Sequence, residues 1–514
     1  MADHPSKGTL RSFQSELKAQ AVQSASAKNS VFIPNSVIQQ LVDDNVRDIL
    51  REENIMEPGR IPIFVKTIRE RAPKLFAMLV HLEKEQHIVN FLEEDIFDEC
   101  LPFQTSEVAL FTKQGNPIQT SKDWTAQSRE DLWLRQYQFL SPTFCKGTHY
   151  DFDEHQILPF LDRNTALDYI SPATGDFGIV TRAWIHPDHH KFKSLPGSEA
   201  LVVAVKRIHR KDDFVTEGDV YRELGSASHA HLIELLFSYE KETCFYLIFP
   251  WADGNLREYW DMHPDPELSS GLVRWTLAQM AGIADGLAFF HQFTNPEWQV
   301  TLYGRHGNVK ADSILWFRDS QILKLASLGF ASIHDGGSID DADHDTVLDI
   351  VTYGAPEIQR EQKVSRKWDI WGLGCLYLEI LTYLILGSGD AVSEFSTRRR
   401  ESNNEYPDLK SDSFYSNDFE SVKPSVGLWV TKLKESLRCT EAMHDILDLV
   451  MTRMIVIEPK DRGSARDIYE ALSEILDRAV RYEMYLLRPK FNIHTIPDPG
   501  GRPGQDNTSL EKAF

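Results

Sequence analysis

Two stretches of this chain place side chains where they could act on a phosphate. Thr174-Gly175-Asp176-Phe177-Gly178-Ile179-Val180 carries two glycines, whose missing side chains let backbone amides approach an anion closely. Downstream, Val203-Ala204-Val205-Lys206 reads as a strand ending in a positive point charge. Alone, the first is more often an ordinary turn; the two together, in that order, are the signal. Such a lysine needs a carboxylate to hold it. Phe214, Glu217, Val220, Tyr221 and Leu224 recur at helical spacing and put Glu217 on the face turned towards the strands. Glu223 is the rival, but it sits beside the apolar stripe, so Glu217 is preferred.

The arrangement resembles the glycine-rich loop and third-strand lysine of protein kinases. The resemblance implies ATP as a cofactor, held by Gly175, Phe177, Gly178, Val180, Ala204, Lys206 and Glu217. Ala173 stands where the first glycine of that loop would be. Phe245-Tyr246-Leu247-Ile248-Phe249-Pro250-Trp251-Ala252 looks like the fifth strand and hinge, with Phe249 as gatekeeper and the backbone around Pro250 to Ala252 facing an adenine. A closer likeness is to the kinase-like proteins of filamentous fungi, which share F-P-W-A-x-G-N-L-x-x-x-W, here Phe249 to Trp260, and Y-G-R-H-G, here Tyr303 to Gly307.

Set against that family's R-H-G-D-I-K-P-E-N-I-L-W-F loop, residues Arg305 to Phe317 keep the lysine as Lys310 but depart on the chemistry. The aspartate that would accept a substrate's hydroxyl proton is Asn308, whose amide is no base. The asparagine that would hold magnesium is Ser313. In Leu323-Lys324-Leu325-Ala326-Ser327-Leu328-Gly329-Phe330, Ser327 replaces the metal-binding aspartate, and a hydroxyl is a poor ligand for a hard cation beside a carboxylate. Positioned proton transfer supplies about 10²–10⁴-fold in rate. Losing it together with both metal ligands makes magnesium doubtful as a cofactor, and no metal site is assigned. Asp312 could reach a metal if the loop adjusted.

The scaffold around these positions is kept. Thr352-Tyr353-Gly354-Ala355-Pro356-Glu357 resembles the end of an activation segment, Asp369-x-Trp371-x-x-Gly374 opens a long apolar helix, and Arg462 is the expected partner of Glu357. Between Phe330 and Gly354 lie Asp335, Asp340, Asp341, Asp343, Asp345 and Asp349 with no Lys or Arg, which reads as a solvated loop before it reads as a docking site. Gly307 replaces the arginine that commonly receives an activation-loop phosphate. Arg398-Arg399-Arg400 is either a nuclear address or a balance to local acid, the latter preferred, and the insertion over 388–426 is expected to be exposed and poorly ordered.

The elements that must position these groups follow from periodicity. After Leu161 come short β-branched runs with turns, then from about Val273 long helical runs: a strand-rich lobe followed by a helical one. The fold class expected is α+β, a two-lobed kinase fold over 162–479 preceded by a small all-α module. Residues 1–30 read as a mobile leader and 31–104 as the helical module, with Asn35 capping a helix whose stripe is Ile38, Leu41, Val42, Val46, Ile49 and Leu50. Residues 105–161 form a bridge anchored by Trp124, Trp133 and Tyr137, and 480–514 a short helix and disordered tail.

The chain has 514 residues, 42% hydrophobic and 26% charged, enough for several cores. Its 77 acidic against 55 basic residues, a formal charge of −22, disfavour nucleic acid and anionic membrane as partners. Cys100, Cys145, Cys244, Cys375 and Cys439 form no C-x-x-C pair, which fits a reducing interior. The opening residues contain no secretory core, so the expected location is the cytoplasm, with the nucleus left open by the arginine run. The one membrane-like stretch, Ile370 to Gly387, is interrupted by Glu379 and reads as a buried helix. These readings lead to a pseudokinase that works through a protein partner, with ATP as a possible structural ligand and the oligomeric state open. The alternatives are a weak serine/threonine kinase using Asp312, or a kinase fold serving only as platform for the helical module.

Overall fold

The computed structural model describes residues 8–27, 29–161, 173–175, 178–192, 200–335, 352–360, 364–401 and 411–490. The N-terminal unit is helical: Gly8–Ala19, Asn35–Glu52, Ile61–Arg71 and Pro73–His81 pack around one apolar core. All six residues of the stripe from Ile38 to Leu50 are buried, as the three- and four-residue spacing requires. Leu75 to Val80 is buried on every side, so the Pro73–His81 helix is the module's centre.

Three expectations fail here. Residues 8–30 are not a leader: Phe13 and Leu17, one helical turn apart, are fully buried, Gln14 donates to the Val80 carbonyl at 2.8 Å, and Val22–Gln23 pairs with Val31–Phe32. Two large apolar side chains suffice because the surface that receives them already exists. The helix that follows is not capped by Asn35 either; Pro34 precedes it, and the Asn35 amide donates to Thr143 at 3.2 Å. The module does not end near 104, since Leu110, Ile118, Trp124, Leu132 and Phe139 share its core.

The next stretch joins the strand-rich lobe. Thr148–Phe152 pairs in parallel with Phe237–Lys241 and caps the edge of a six-stranded sheet that continues through Cys244–Pro250, Leu201–Ile208, Gly178–Ile185 and Ala173–Gly175, all antiparallel. Covering that edge removes a row of unpaired backbone groups. Phe144 stacks on Phe237 at 4.1 Å, and Phe32 of the module meets His186 and His189 edge-on, so module and lobe share a seam.

The second lobe is built on Ser270–His291 and Lys367–Leu386. Every side chain from Trp368 to Ile385 is buried. This helix is long and apolar enough to cross a membrane by length and composition; here protein covers it. The two-lobed α+β architecture expected from the sequence is therefore present, with the helical unit in front.

The insertion after this helix also differs from expectation. Gly389–Glu401 is a helix that buries Val392, Phe395 and Arg399, and Phe414 and Tyr415 return to the core beyond it. Phe395 stacks on Trp429 at 5.0 Å, which docks this helix on the lobe. In the tail, Glu483–Leu486 forms one 3₁₀ turn with Leu486 buried. Phe177, the whole acidic run from Asp340 to Asp349, and the tail beyond 490 lie outside the described residues.

Candidate nucleotide cleft and catalytic loop

Strand alternation puts Ala204 and Lys206 on one face of Leu201–Ile208. Lys206 lies opposite Val180 on one neighbouring strand and Leu247 on the other, and Ala204 lies opposite Phe249. Gly175 and Gly178 pair with each other at the turn end of their hairpin. Phe249 is buried and Pro250 half-buried where the strand leaves the sheet, and Tyr221 packs against the Phe249 ring at 5.4 Å.

Glu217 comes from the Lys211–Leu224 helix, whose buried face also includes Val220, Tyr221 and Leu224. Its Oε2 accepts from Lys206 Nζ at 2.6 Å with both side chains nearly sealed from solvent. Glu223, the rival, makes no such contact; its carbonyl instead receives the Asn295 amide at 2.6 Å. His229 and His231 bond Asp285 at 3.0 Å and the Leu323 carbonyl at 2.7 Å.

The loop after the Val300–Arg305 strand is held from below by one carboxylate. Asp369 accepts the backbone amides of His306 and Gly307, each at 2.8 Å, and a ring nitrogen of His291 at 2.9 Å. Burial alone would push its carboxyl up; the His291 bond and the neighbouring rings outweigh that and hold it below the ordinary range. His306 is fully buried with Nε2 3.0 Å from the Ala326 carbonyl, and burial pushes its imidazole down to about 4, so the ring is neutral. Gly307 has φ +78°, and a Cβ there would meet the Phe330 carbonyl oxygen at 2.6 Å. The arginine expected at this position is therefore excluded by the path of the backbone.

Above this frame sit the three altered positions. Asn308 is 1% exposed and Ser313 fully buried, its Oγ without a hydrogen-bond partner. Ser313 donates its amide to the Lys310 carbonyl at 3.0 Å and accepts the Ala326 amide at 2.8 Å, which brings the two loops together. Half-buried Ser327 follows Ala326 directly, with φ 70° and ψ 58°. The site thus gathers Asn308, Lys310, Ser313 and Ser327 as the sequence order implies, but its donor set at the metal position is two hydroxyls and an amide. Magnesium seeks charged oxygen ligands, and this set does not fit it. The residue types are compatible with an adenine nucleotide: small Ala204 opposite Phe249, and the Lys206–Glu217 pair two residues further along the same strand face.

Asp312 is already engaged. Its Oδ2 accepts from Arg257 Nε at 3.1 Å, and the same guanidinium reaches Tyr353 Oη at 2.7 Å and Glu379 at 3.5 Å. Sequence reasoning missed this cluster because its members lie on four separate elements and no local pattern joins them. Glu357 and Arg462 form the expected pair, bidentate at 2.8 Å and wholly buried.

The profile of the family described as protein kinase domain matches residues 192–472. Among curated proteins, the chain is 26% identical over 196 residues to an L-type lectin-domain containing receptor kinase VII.1 of Arabidopsis thaliana, covering 37% of this chain and 27% of that one. It is 25% identical over 210 residues to pollen receptor-like kinase 2 of the same plant, covering 40% and 30%. Lectin-domain containing receptor kinase VI.3 matches at 27% over 217 residues, 41% of this chain and 28% of that one. The chain thus spans less than a third of the length of these relatives. With the two-lobed fold, the buried lysine–glutamate pair and a profile match over more than half its length, this chain belongs to the protein kinase domain family.

Proposed function

We propose that this protein is a pseudokinase, akin to the kinase-like proteins of filamentous fungi, that acts inside the cell by binding a protein partner. The observation that carries this reading is the contrast at one loop. The backbone frame set by Asp369, His306 and Gly307 is complete, while Asn308, Ser313 and Ser327 supply neither a base nor a metal carboxylate. ATP, used by the family at large, is a structural ligand in this reading, held through Lys206 and Glu217. The lysine contributes positive charge to the phosphates and the glutamate keeps it in place. No magnesium takes part, because the donor set lacks the charged oxygens that ion requires.

The weaker alternative, a kinase with a metal site rebuilt around Asp312, would need that carboxylate to leave Arg257. The test is radiolabelled phosphate transfer from ATP by the purified full chain, beside Lys206→Ala and beside the combined Asn308→Asp, Ser313→Asn, Ser327→Asp variant. We expect no transfer above the Lys206→Ala background. Wild-type transfer that vanishes in Lys206→Ala would overturn the reading, and its loss in Asp312→Ala would assign the activity to the rebuilt site.

A further inference from the structure

The arginine run singled out in the sequence has no part in the function just proposed, yet it lines a cavity of about 340 Å³ in the helical lobe. Gly389–Glu401 turns Arg399 and Arg400 into it, Arg257 enters from the neighbouring Leu256–Met262 helix, and Thr352 closes it beside the family's activation-segment motif. Three guanidiniums thus meet two lining carboxylates, Glu379 and Asp412, in a chain whose formal charge is −22. Asp312 outside the lining lies 3.1 Å from Arg257, and the Lys423 ammonium donates to the Arg399 carbonyl at 3.1 Å, so one positive charge remains in surplus when both neighbours are counted.

The wall is fixed before any ligand arrives. Arg399 is wholly buried, its guanidinium lying over Phe395 at 4.2 Å and Phe414 at 4.1 Å, and its Nε donates to the Asp412 carbonyl at 2.7 Å. Asp412 is the resident counter-ion: its carboxylate accepts from Thr352 at 2.5 Å and Ser396 at 2.8 Å and lies 3.9 Å from Arg399 and 3.7 Å from Arg400. Glu379 accepts from Tyr353 and lies 3.5 Å from Arg257 and 3.6 Å from Arg399; burial shifts its carboxyl upwards. Arg257 is shared with Asp312, whereas Arg400 stands at the mouth with its side chain more than half exposed.

We propose that this cavity takes the phosphate of a phosphorylated serine or threonine in the bound protein partner. A carboxylate brings one charge and would compete poorly with Asp412 and Glu379. A phosphomonoester brings about −1.5 to −2 charges and three acceptor oxygens, enough to engage the guanidiniums and hydroxyls together. Arg257 lines the cavity and also holds Asp312 of the catalytic loop, so an extended partner segment crossing that loop would pass close to it. A free oxyanion shares the chemistry but gains nothing from that path.

The inference rests on the partner-binding reading, but its test does not measure phosphate transfer, so the two fail separately. Fluorescence anisotropy of the full chain with a degenerate peptide pool fixed at phosphoserine, against the same pool with serine, should show at least tenfold tighter binding of the phosphorylated pool. Arg400→Glu should erase the preference, and Arg398→Glu, at an exposed residue paired with Glu394 and absent from the lining, should keep it. Thermal melting confirms that each variant is folded. Equal binding of the two pools, or a preference that survives Arg400→Glu, overturns the proposal. Inorganic phosphate binding as tightly as the phosphopeptide pool overturns the assignment to a partner.

Discussion

Asp369 and Asn308 serve the same loop from opposite sides. Asp369 is a sealed carboxylate with three donors converging on it; Asn308, which the sequence resemblance sets at the position of the family's base, is an equally buried amide. Charge stands where it holds backbone, and in the function proposed above it is missing where it would do chemistry. A buried charge persists only when paired, and losing one member of a pair leaves the other stranded. The frame therefore cannot drift without unfolding, while the reactive positions carry no such constraint.

The strongest way to break this contrast is to cut a buried ion pair of the frame. Arg462→Ala strands Glu357, and such losses cost about 3–5 kcal/mol. Urea unfolding should show a midpoint lowered accordingly, and a change under about 1 kcal/mol, the ordinary range of an exposed ion pair, would show that the pair does not hold the lobe together. Gly307→Ala comes next. It adds a Cβ 2.6 Å from the Phe330 carbonyl at a φ of +78°, and strain of this kind costs about 1–3 kcal/mol. A neutral outcome by the same measurement would mean the loop path is free to change, and the absence of arginine there would need another cause.

Acid extends the comparison to the seam between module and lobe. Burial holds His306 in the frame and His189 at the seam at about 4, well below the ordinary histidine value, so both are neutral when folded. Between pH 6.5 and 4 the unfolded chain binds protons at both while the folded chain does not, and stability is lost as pH falls through that window. Asp98 runs the other way, since burial raises it to about 6 and the folded chain takes up its proton first on acidification. The balance of these three groups between pH 6 and 4 is one proton, or about 1.4 kcal/mol lost per pH unit. A pH series of denaturation midpoints for the wild type beside His189→Gln checks it: an unchanged slope between pH 6 and 4 would place the His189 ring in contact with solvent.

What the sequence could and could not disclose follows the same physics. Lys206 with Glu217, and the stripe from Ile38 to Leu50, were legible because strand and helix periods fix which side chains share a face within one element. Gly8–Ala19 was missed because its two buried residues, Phe13 and Leu17, make sense only against a core assembled elsewhere. Phe395, Arg399 and Phe414 looked like part of a loose insertion, since nothing in a run of Ser, Asp and Arg shows that a guanidinium will be clasped between two rings. The engagement of Asp312 by Arg257 crosses 55 residues and has no local sign at all.

Ser327 gives the finest test of whether the reactive positions are held by the frame or by their own side chains. Its left-handed backbone is unusual for a residue other than glycine, asparagine or aspartate, and such conformations persist when the surroundings over-determine them. Those surroundings are visible: Ala326, the preceding residue, donates its amide to the Ser313 carbonyl and offers its own carbonyl to His306. If the frame imposes the conformation, Ser327→Gly relieves a left-handed backbone cost of about 1–2 kcal/mol against about 0.4–1 kcal/mol of added unfolded-chain entropy, read as a small net rise in urea midpoint. If the serine side chain itself holds the turn, the same substitution lowers the midpoint, and the division between a rigid frame and passive reactive positions no longer stands.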